Sequence, residues 1–291
     1  GELDLSFNFY KNNEALYGST FSTLDFEGFV NMTNSIFDVY EDNAEDVSEY
    51  WVNVEADDGY DASNSDGNLD AITYDVWVSP TGSDDASVTG VESDPFKTIN
   101  YAFSRIYVTE DDPVTINLTG GTETDPDIFA PSITGESFPI IMISHVNLNG
   151  ENQESTILDA EGSGRVVVMD GSLGNTLMDF TITGGLQISG ANSSDNPYKY
   201  SGGGMLLNLS SPILTNISII DNNADNGGGL YLYYSDPLLT NMYINGNRAE
   251  GEPYGSGGGL LLEYSNPTLS NVVISENYAA HGSGGLSLNR S

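Results

Sequence analysis

Side chains able to move a proton near neutrality are scarce in this 291-residue chain. It has two histidines, His145 and His281, and seven fixed cations: Lys11, Lys97, Arg105, Arg165, Lys199, Arg248 and Arg290. Abstracting a proton beside a carboxylate requires a poised base such as Lys or Arg. Hydrolysing a glycosidic bond requires two or three clustered carboxyl groups. His145 lies in Ile143-Ser-His-Val146 and reads as a strand-face residue. His281 lies in Ala280-His-Gly282 and reads as a solvated turn residue. No nucleophile–base pair stands out, and there is no cysteine for a thiolate metal site, a disulfide or a nucleophile. No catalytic residue is therefore assigned, and a non-enzymatic role is expected.

What the chain has in abundance is carboxylate. Its 43 acidic residues against 7 basic ones leave a net charge of −36. Such a surface repels phosphate backbones and anionic membranes, so neither nucleic acid nor a membrane surface is an expected partner. No apolar run is long enough to span a bilayer. Asp57, Asp58, Asp61, Asp66 and Asp70 have the oxygen-rich character that calcium prefers, although their spacing does not match the twelve-residue calcium loop. Calcium is the one cofactor this pattern suggests. Solvated acid that keeps an extracellular protein soluble accounts for it equally well. Asp84, Asp85 and Asp94 form a second acidic group.

Aromatic residues suggest glycans as ligands. Two insertions carry Pro-Tyr, at Tyr198 and Tyr254, and Tyr234 and Tyr264 occupy equivalent positions in neighbouring repeats. Rings in that arrangement either stack on sugars or form an aromatic ladder one coil apart, about 4.8 Å. Asn-x-Ser/Thr occurs at Asn31, Asn117, Asn192, Asn208 and Asn216, the acceptor pattern for N-glycosylation.

These residues are positioned by a repeat. Ser210-Ser-Pro-Ile-Leu-Thr-Asn216, Ser235-Asp-Pro-Leu-Leu-Thr-Asn241 and Ser265-Asn-Pro-Thr-Leu-Ser-Asn271 align without gaps. The alignment continues through Ile219, Ile244 and Ile274 to Asn222, Asn247 and Asn277. Each repeat then reaches Ala and a glycine run before an apolar strand starting at Leu230, Leu260 or Leu286, with an earlier copy at Met205. Short alternating strands joined by turn residues cannot bury their inward face alone. Stacked coils can, because like residues fall above like. Asn at matched positions is expected to form amide ladders, and the glycine runs to supply positive φ at a corner. The expected fold is all-β, a parallel β-helix (solenoid) with 25–30-residue coils.

These motifs carry a resemblance. The pairing of Gly-Gly-Gly-apolar with apolar-x-x-Asn resembles the repeat of chlamydial polymorphic outer-membrane adhesins. The stretch Val76 to Ser291 resembles the right-handed parallel β-helix proteins of the pectin-lyase-like superfamily. Val76-Trp-Val-Ser-Pro-Thr-Gly-Ser-Asp-Asp85, Asp94-Pro-Phe-Lys-Thr-Ile99, Leu148-Asn-Gly150 and Thr156-Ile-Leu-Asp-Ala160 carry it. The resemblance implies the fold and a secreted context. It implies no particular activity, since lyases, hydrolases, adhesins and structural tubes share the fold. The Asn-Thr-Asp, Asp-Asp, Gly-His-Gly and Arg-Ile-Lys pattern of polygalacturonases is missing here.

The remaining segments complete the expected layout. Residues 76–113 read as a first strand followed by a capping helix over 95–107, with Asp94 as N-cap and Phe96, Ile99, Phe103 and Ile106 at helical spacing. Residues 114–291 read as the β-helix, and residues 41–75, acidic and without Lys or Arg, as a connector. Residues 1–40 read as degenerate coils, with Phe9-Tyr-Lys-Asn12 fitting apolar-x-x-Asn. Placing Ser291 at the Ser265 position puts Phe9 at the Ile274 position and Asn12 at the Asn277 position, without a gap. The functional expectation is a structural module of the cell surface or extracellular space that joins identical copies head to tail. Phe7, Phe9 and Asn12 would meet Leu286, Leu288 and Ser291. A glycan-binding adhesin is the alternative, and a polysaccharide lyase or hydrolase a third reading.

Overall fold

The computed structural model describes residues 72–291 apart from 86, 107, 189–199 and 254. Within residues 1–71 it describes the backbone of eight short strands. The chain divides into two compact units, residues 1–73 with 103–107, and residues 74–102 with 108–291.

The larger unit is a parallel β-helix. One face is built by Val76–Val78, Val114–Leu118, Val146–Asn149, Thr176–Thr183, Ile213–Ile220, Leu238–Thr240 and Thr268–Ser270, paired in parallel in an order that follows the chain. The eight-residue strands Thr176–Thr183 and Ile213–Ile220 turn a corner and pair again with Thr156–Asp159 and with Tyr243–Asn245 on a second face. A narrow face stacks Leu186–Gln187, Asn223–Ala224, Arg248–Ala249 and Tyr278–Ala279. The last face stacks Ile140–Met142, Val167–Asp170, Met205–Asn208, Leu230–Tyr233, Leu260–Glu263 and Leu286–Asn289.

Register makes the core. Val76, Ile116, Leu148, Leu177, Leu214 and Leu239 lie above one another, all fully buried. Phe129, Leu158, Ile182, Ile219 and Ile244 form a second buried column. Met142, Met169, Leu207, Leu232 and Leu262 form a third. Each coil thus covers the apolar face of the one before it, as the repeat requires.

Corners are single residues in the left-handed region. Asp179, Asn216, Asn241 and Asn271 turn one corner at φ 52–65°, where Asn and Asp carry the smallest penalty among residues with a side chain. In the glycine runs only the first residue uses positive φ, as at Gly227 and Gly257. The third is needed for approach: a Cβ on Gly229 would lie 2.6 Å from the Gly259 carbonyl oxygen of the next coil. The runs therefore serve close stacking as well as the expected turn.

Two expectations are corrected. The helix covers Ile99–Phe103, not 95–107. Its N-terminal cap is Thr98, whose Oγ1 accepts from the Tyr101 N–H at 3.1 Å. Asp94 instead accepts from the N–H and hydroxyl of Thr89, which closes the preceding loop. Phe96 is committed to that loop through a backbone bridge to Val78, so helical φ/ψ cannot begin before it. The acidic stretch 41–75, read as a connector, carries strands at Val52–Asn53, Gly59–Asp61 and Asp66–Leu69. They pair in parallel with Phe21–Ser22, Phe29–Asn31 and Ile36–Tyr40, and Glu2–Asp4 and Phe9–Tyr10 complete two of the three small sheets.

Glu136 is an unusual member of the larger unit. It is 2% exposed and receives the N–H groups of Ile99 at 2.6 Å and Asn100 at 3.2 Å. Burial pushes its carboxyl up to about 7, against the pull of those donors. Its folded value lies above its ordinary one. Its contribution is therefore complete below about pH 4.5 and fades as pH rises through 7. The difference of about 2.5 pH units corresponds to roughly 3 kcal/mol. Urea unfolding from pH 5 to pH 8 is expected to show wild type losing stability relative to Glu136→Gln by up to that amount. Parallel profiles would remove the assignment.

Candidate assembly surface

The stacked columns end on one coil, Thr268–Asn289, and there the burial changes. Leu239 is fully buried, whereas Leu269 above it is 40% exposed. Leu262 is 2% exposed, whereas Leu288 above it is 64% exposed. Ile274, Ala279 and Leu286 are half-buried where Ile244, Ala249 and Leu260 beneath them are sealed. Among the described residues nothing covers this coil. It presents a cross-section of the core framed by strand edges.

Three hydrogen-bond ladders climb to the same surface. In the inner asparagine ladder, Gly185 donates its N–H to Asn222 Oδ1 at 2.8 Å. Asn222 donates N–H and Nδ2 to Asn247 Oδ1, both at 3.0 Å. Asn247 does the same to Asn277 Oδ1 at 2.9 and 3.0 Å. Asn222 and Asn247 are fully buried. In the serine ladder the N–H groups of Ser172, Ser210, Ser235 and Ser265 donate to the hydroxyls of Ser210, Ser235, Ser265 and Ser291. The outer asparagine ladder runs the other way: Asn271 Nδ2 donates to Asn241 Oδ1, Asn241 to Asn216, and Asn216 to Asp179.

The structure brings some of the sequence-derived site residues to this end. Leu286, Leu288 and Ser291 lie on the terminal coil. Phe9 falls in the strand Phe9–Tyr10, while Phe7 and Asn12 lie outside the described residues. Tyr234 and Tyr264 stack on each other, with centroids 4.6 Å apart and planes within 5°, and Arg290 lies over Tyr264 at 5.4 Å. Tyr233 meets both edge-on. The facing sides of the pair are thus occupied by a ladder, and Tyr198 and Tyr254 lie outside the described residues.

Beside this ladder is an open groove of about 420 Å³, floored by Tyr231 and Leu261 and edged by Ser201, Asn226, Ser256, Glu263 and Asn289. Its floor continues an outward apolar row through Leu206 and Val168, a feature that the repeat alignment did not single out. Strand alternation could have revealed it, since Leu206, Tyr231 and Leu261 occupy outward positions that ordinarily carry polar residues.

The other sequence-derived sites are dispersed. Asp57, Asp58, Asp61, Asp66 and Asp70 have side chains outside the described residues. Among the described residues no group of three His, Asp or Glu side chains gathers to hold a metal ion, and no helix is long and apolar enough to cross a membrane. Asp84 accepts from the N–H groups of Lys97 and Thr98. His145 occupies a corner at φ 63°, not a strand face, and His281 pairs with Glu252 at 2.7 Å. Of the glycosylation motifs, Asn31 ends a strand whose side chains are outside the described residues, as is Asn192. The Nδ2 groups of Asn117, Asn208 and Asn216 are engaged with Val76 O, Asp170 Oδ1 and Asp179 Oδ1.

Asn247→Ala leaves the Asn222 N–H and the Ile219 carbonyl buried without their partner. Each such group costs about 1–3 kcal/mol, so a loss of about 3 kcal/mol in urea unfolding is expected. Asn271→Ala, on the exposed end of its ladder, is expected to cost under about 1 kcal/mol. Equal losses would show that the inner ladder has no special weight.

Residues 81–289 match the family described as a protein of unknown function, DUF1565, and the chain belongs to that family. No curated protein and no solved structure matches the chain.

Proposed function

We propose that this DUF1565 member is a non-enzymatic structural module of the cell surface or extracellular space whose β-helix is continued end to end by identical copies. The observation that carries the reading is the change in burial on the coil Thr268–Asn289. Columns sealed in every coil below open there through Leu269, Ile274, Leu286 and Leu288. Returning each leucine to full burial contributes about 1–2 kcal/mol, and the edges of its strands gain backbone partners.

The occupant is the N-terminal unit of the next copy, whether separate or tandem in a longer polypeptide. Its strands are parallel and short, as a further coil requires. With Ser291 at the Ser265 position, Phe9 falls at Ile274 and Phe21 at Leu286, and strands stand at Phe9–Tyr10 and Phe21–Ser22. A contact between unlike surfaces gives a ring where its rotation closes and an open fibre where it does not; coil stacked on coil along the solenoid axis gives the fibre, a filament or stalk.

Glycan binding is the second reading, and what favours it is the groove. An aromatic and apolar floor edged by hydroxyl and amide groups and the Glu263 carboxylate suits a neutral sugar. Binding to a glycan array that is lost in Leu261→Asp, without loss of fold by circular dichroism, is its test.

For assembly, the full chain examined by sedimentation and negative-stain electron microscopy is expected to form linear species, and Leu288→Asp or Leu269→Asp to stay monomeric. Copies of net charge −36 repel one another, so assembly is expected to strengthen with added salt. A wild type that remains monomeric at every salt concentration would falsify the reading.

A further inference from the structure

We infer that a shallow hollow over Trp77, on the first strand of the larger unit, binds a small organic cation of the alkylammonium class. The strand Val76–Val78 turns Val76 and Val78 into the core and Trp77 outward. Trp77 starts an outward row that continues, coil by coil, through Asn117, Asn149, Met178, Thr215 and Thr240. It is the one aromatic side chain in that row. The hollow measures about 570 Å³ and is lined by Trp77, Val91, Glu92 and Ser93. That size lies within the range of small-molecule sites.

The backbone fixes the hollow before any ligand arrives. Trp77 donates its N–H to the Gly90 carbonyl at 2.7 Å, and its own carbonyl accepts from the Phe96 N–H at 2.9 Å. Both flanks of the Val91–Asp94 turn are thus tied to the residue whose ring lines the hollow. The turn itself closes through the Asp94 N–H on the Val91 carbonyl at 2.9 Å and the Gly90 N–H on the Asp94 carbonyl at 3.1 Å. The Asp94 carboxylate braces it from Thr89, and the Tyr74 hydroxyl donates to the Thr89 carbonyl at 2.9 Å. Gly90 has φ +74°, and a Cβ there would lie 2.4 Å from the Phe96 ring. A turn held this firmly lowers the ordering cost of binding.

The chemistry of the lining selects a cation. Asp75 and Asp94 spend carboxylate oxygens on the Thr115 N–H and on Thr89. Glu92 makes no hydrogen bond or ion pair among the described residues, although it lines the hollow. An indole beside an uncompensated carboxylate attracts a cation through the ring quadrupole and through charge. The net charge of −36 concentrates cations near the surface and turns anions away. One carboxylate is too few for a divalent metal ion, which takes several oxygen ligands. Val91, 36% exposed, adds an apolar wall that suits alkyl groups on the ligand better than a hydration shell.

The test titrates the full chain with choline and with tetramethylammonium in a calorimeter, at about 150 mM salt, where distant charges are screened. The chain has two tryptophans, so fluorescence of a Trp51→Phe variant reports on Trp77 alone. Saturable binding with a change in that emission is expected. Trp77→Leu is expected to weaken binding about tenfold and Glu92→Gln about threefold. Glu123→Gln, which removes an exposed carboxylate from another loop, is expected to leave it unchanged. Thermal unfolding is followed for each variant, and Glu92→Gln carries the test if Trp77→Leu fails to fold. No saturable binding, or equal affinity in wild type, Glu92→Gln and Glu123→Gln, would overturn the inference. Binding of cellobiose but not of choline, lost in Trp77→Leu, would also overturn it and make the hollow a sugar site.

Discussion

Coil-on-coil contact is the interaction on which this structure depends. A coil of 25–30 residues has almost no interior of its own. Its backbone groups, inward side chains and corner amides all find their partners one coil up or down. Leu214 is buried because Leu177 and Leu239 flank it in register, and Asn247 is satisfied because Asn222 and Asn277 lie either side of it. Stability in such a stack is a sum of neighbour terms, so a terminal coil is always the weakest.

The same dependence explains the residue choices. Asn recurs at the inner turn because one side chain there, as at Asn247, must accept two bonds from the preceding coil while its amide donates both to a core carbonyl of that coil and to the Asn of the next, which no shorter or purely donating side chain can do. Asn or Asp recurs at the outer corner because the backbone there is left-handed. Ser recurs at the start of each repeat because its hydroxyl accepts the N–H from the preceding coil while donating to a carbonyl two residues back. Glycine recurs where carbonyl oxygens of the next coil come within reach of a Cβ. Acidic residues crowd the outside because the stack leaves them nowhere else to go.

Much of this was legible beforehand. The gapless alignment of Ser210, Ser235 and Ser265, and of Asn222, Asn247 and Asn277, foretold coils in register and amide ladders, because identical spacing in a stack means identical height. Helical spacing alone carries the helix over 95–107, because Phe96 fits the period, whereas its backbone is paired with Val78. The acidic stretch looked like a connector because charge hides short strands such as Asp66–Leu69, whose pattern is too brief to show a period. Tyr234 and Tyr264 stand one above the other because they share a repeat position, and their near-parallel contact is the ladder alternative made concrete.

The sequence by itself determined the repeat, the parallel stacking and which residues share a column, since these follow from periodicity and from the need of each coil for a like neighbour. Only the tertiary structure decided the direction of each ladder and the outward groove over Tyr231 and Leu261. Hydrogen-bond polarity depends on which way an amide rotates about its side-chain bonds, and the groove on how the outward side chains of successive coils pack. Neither is written in the spacing of residue types.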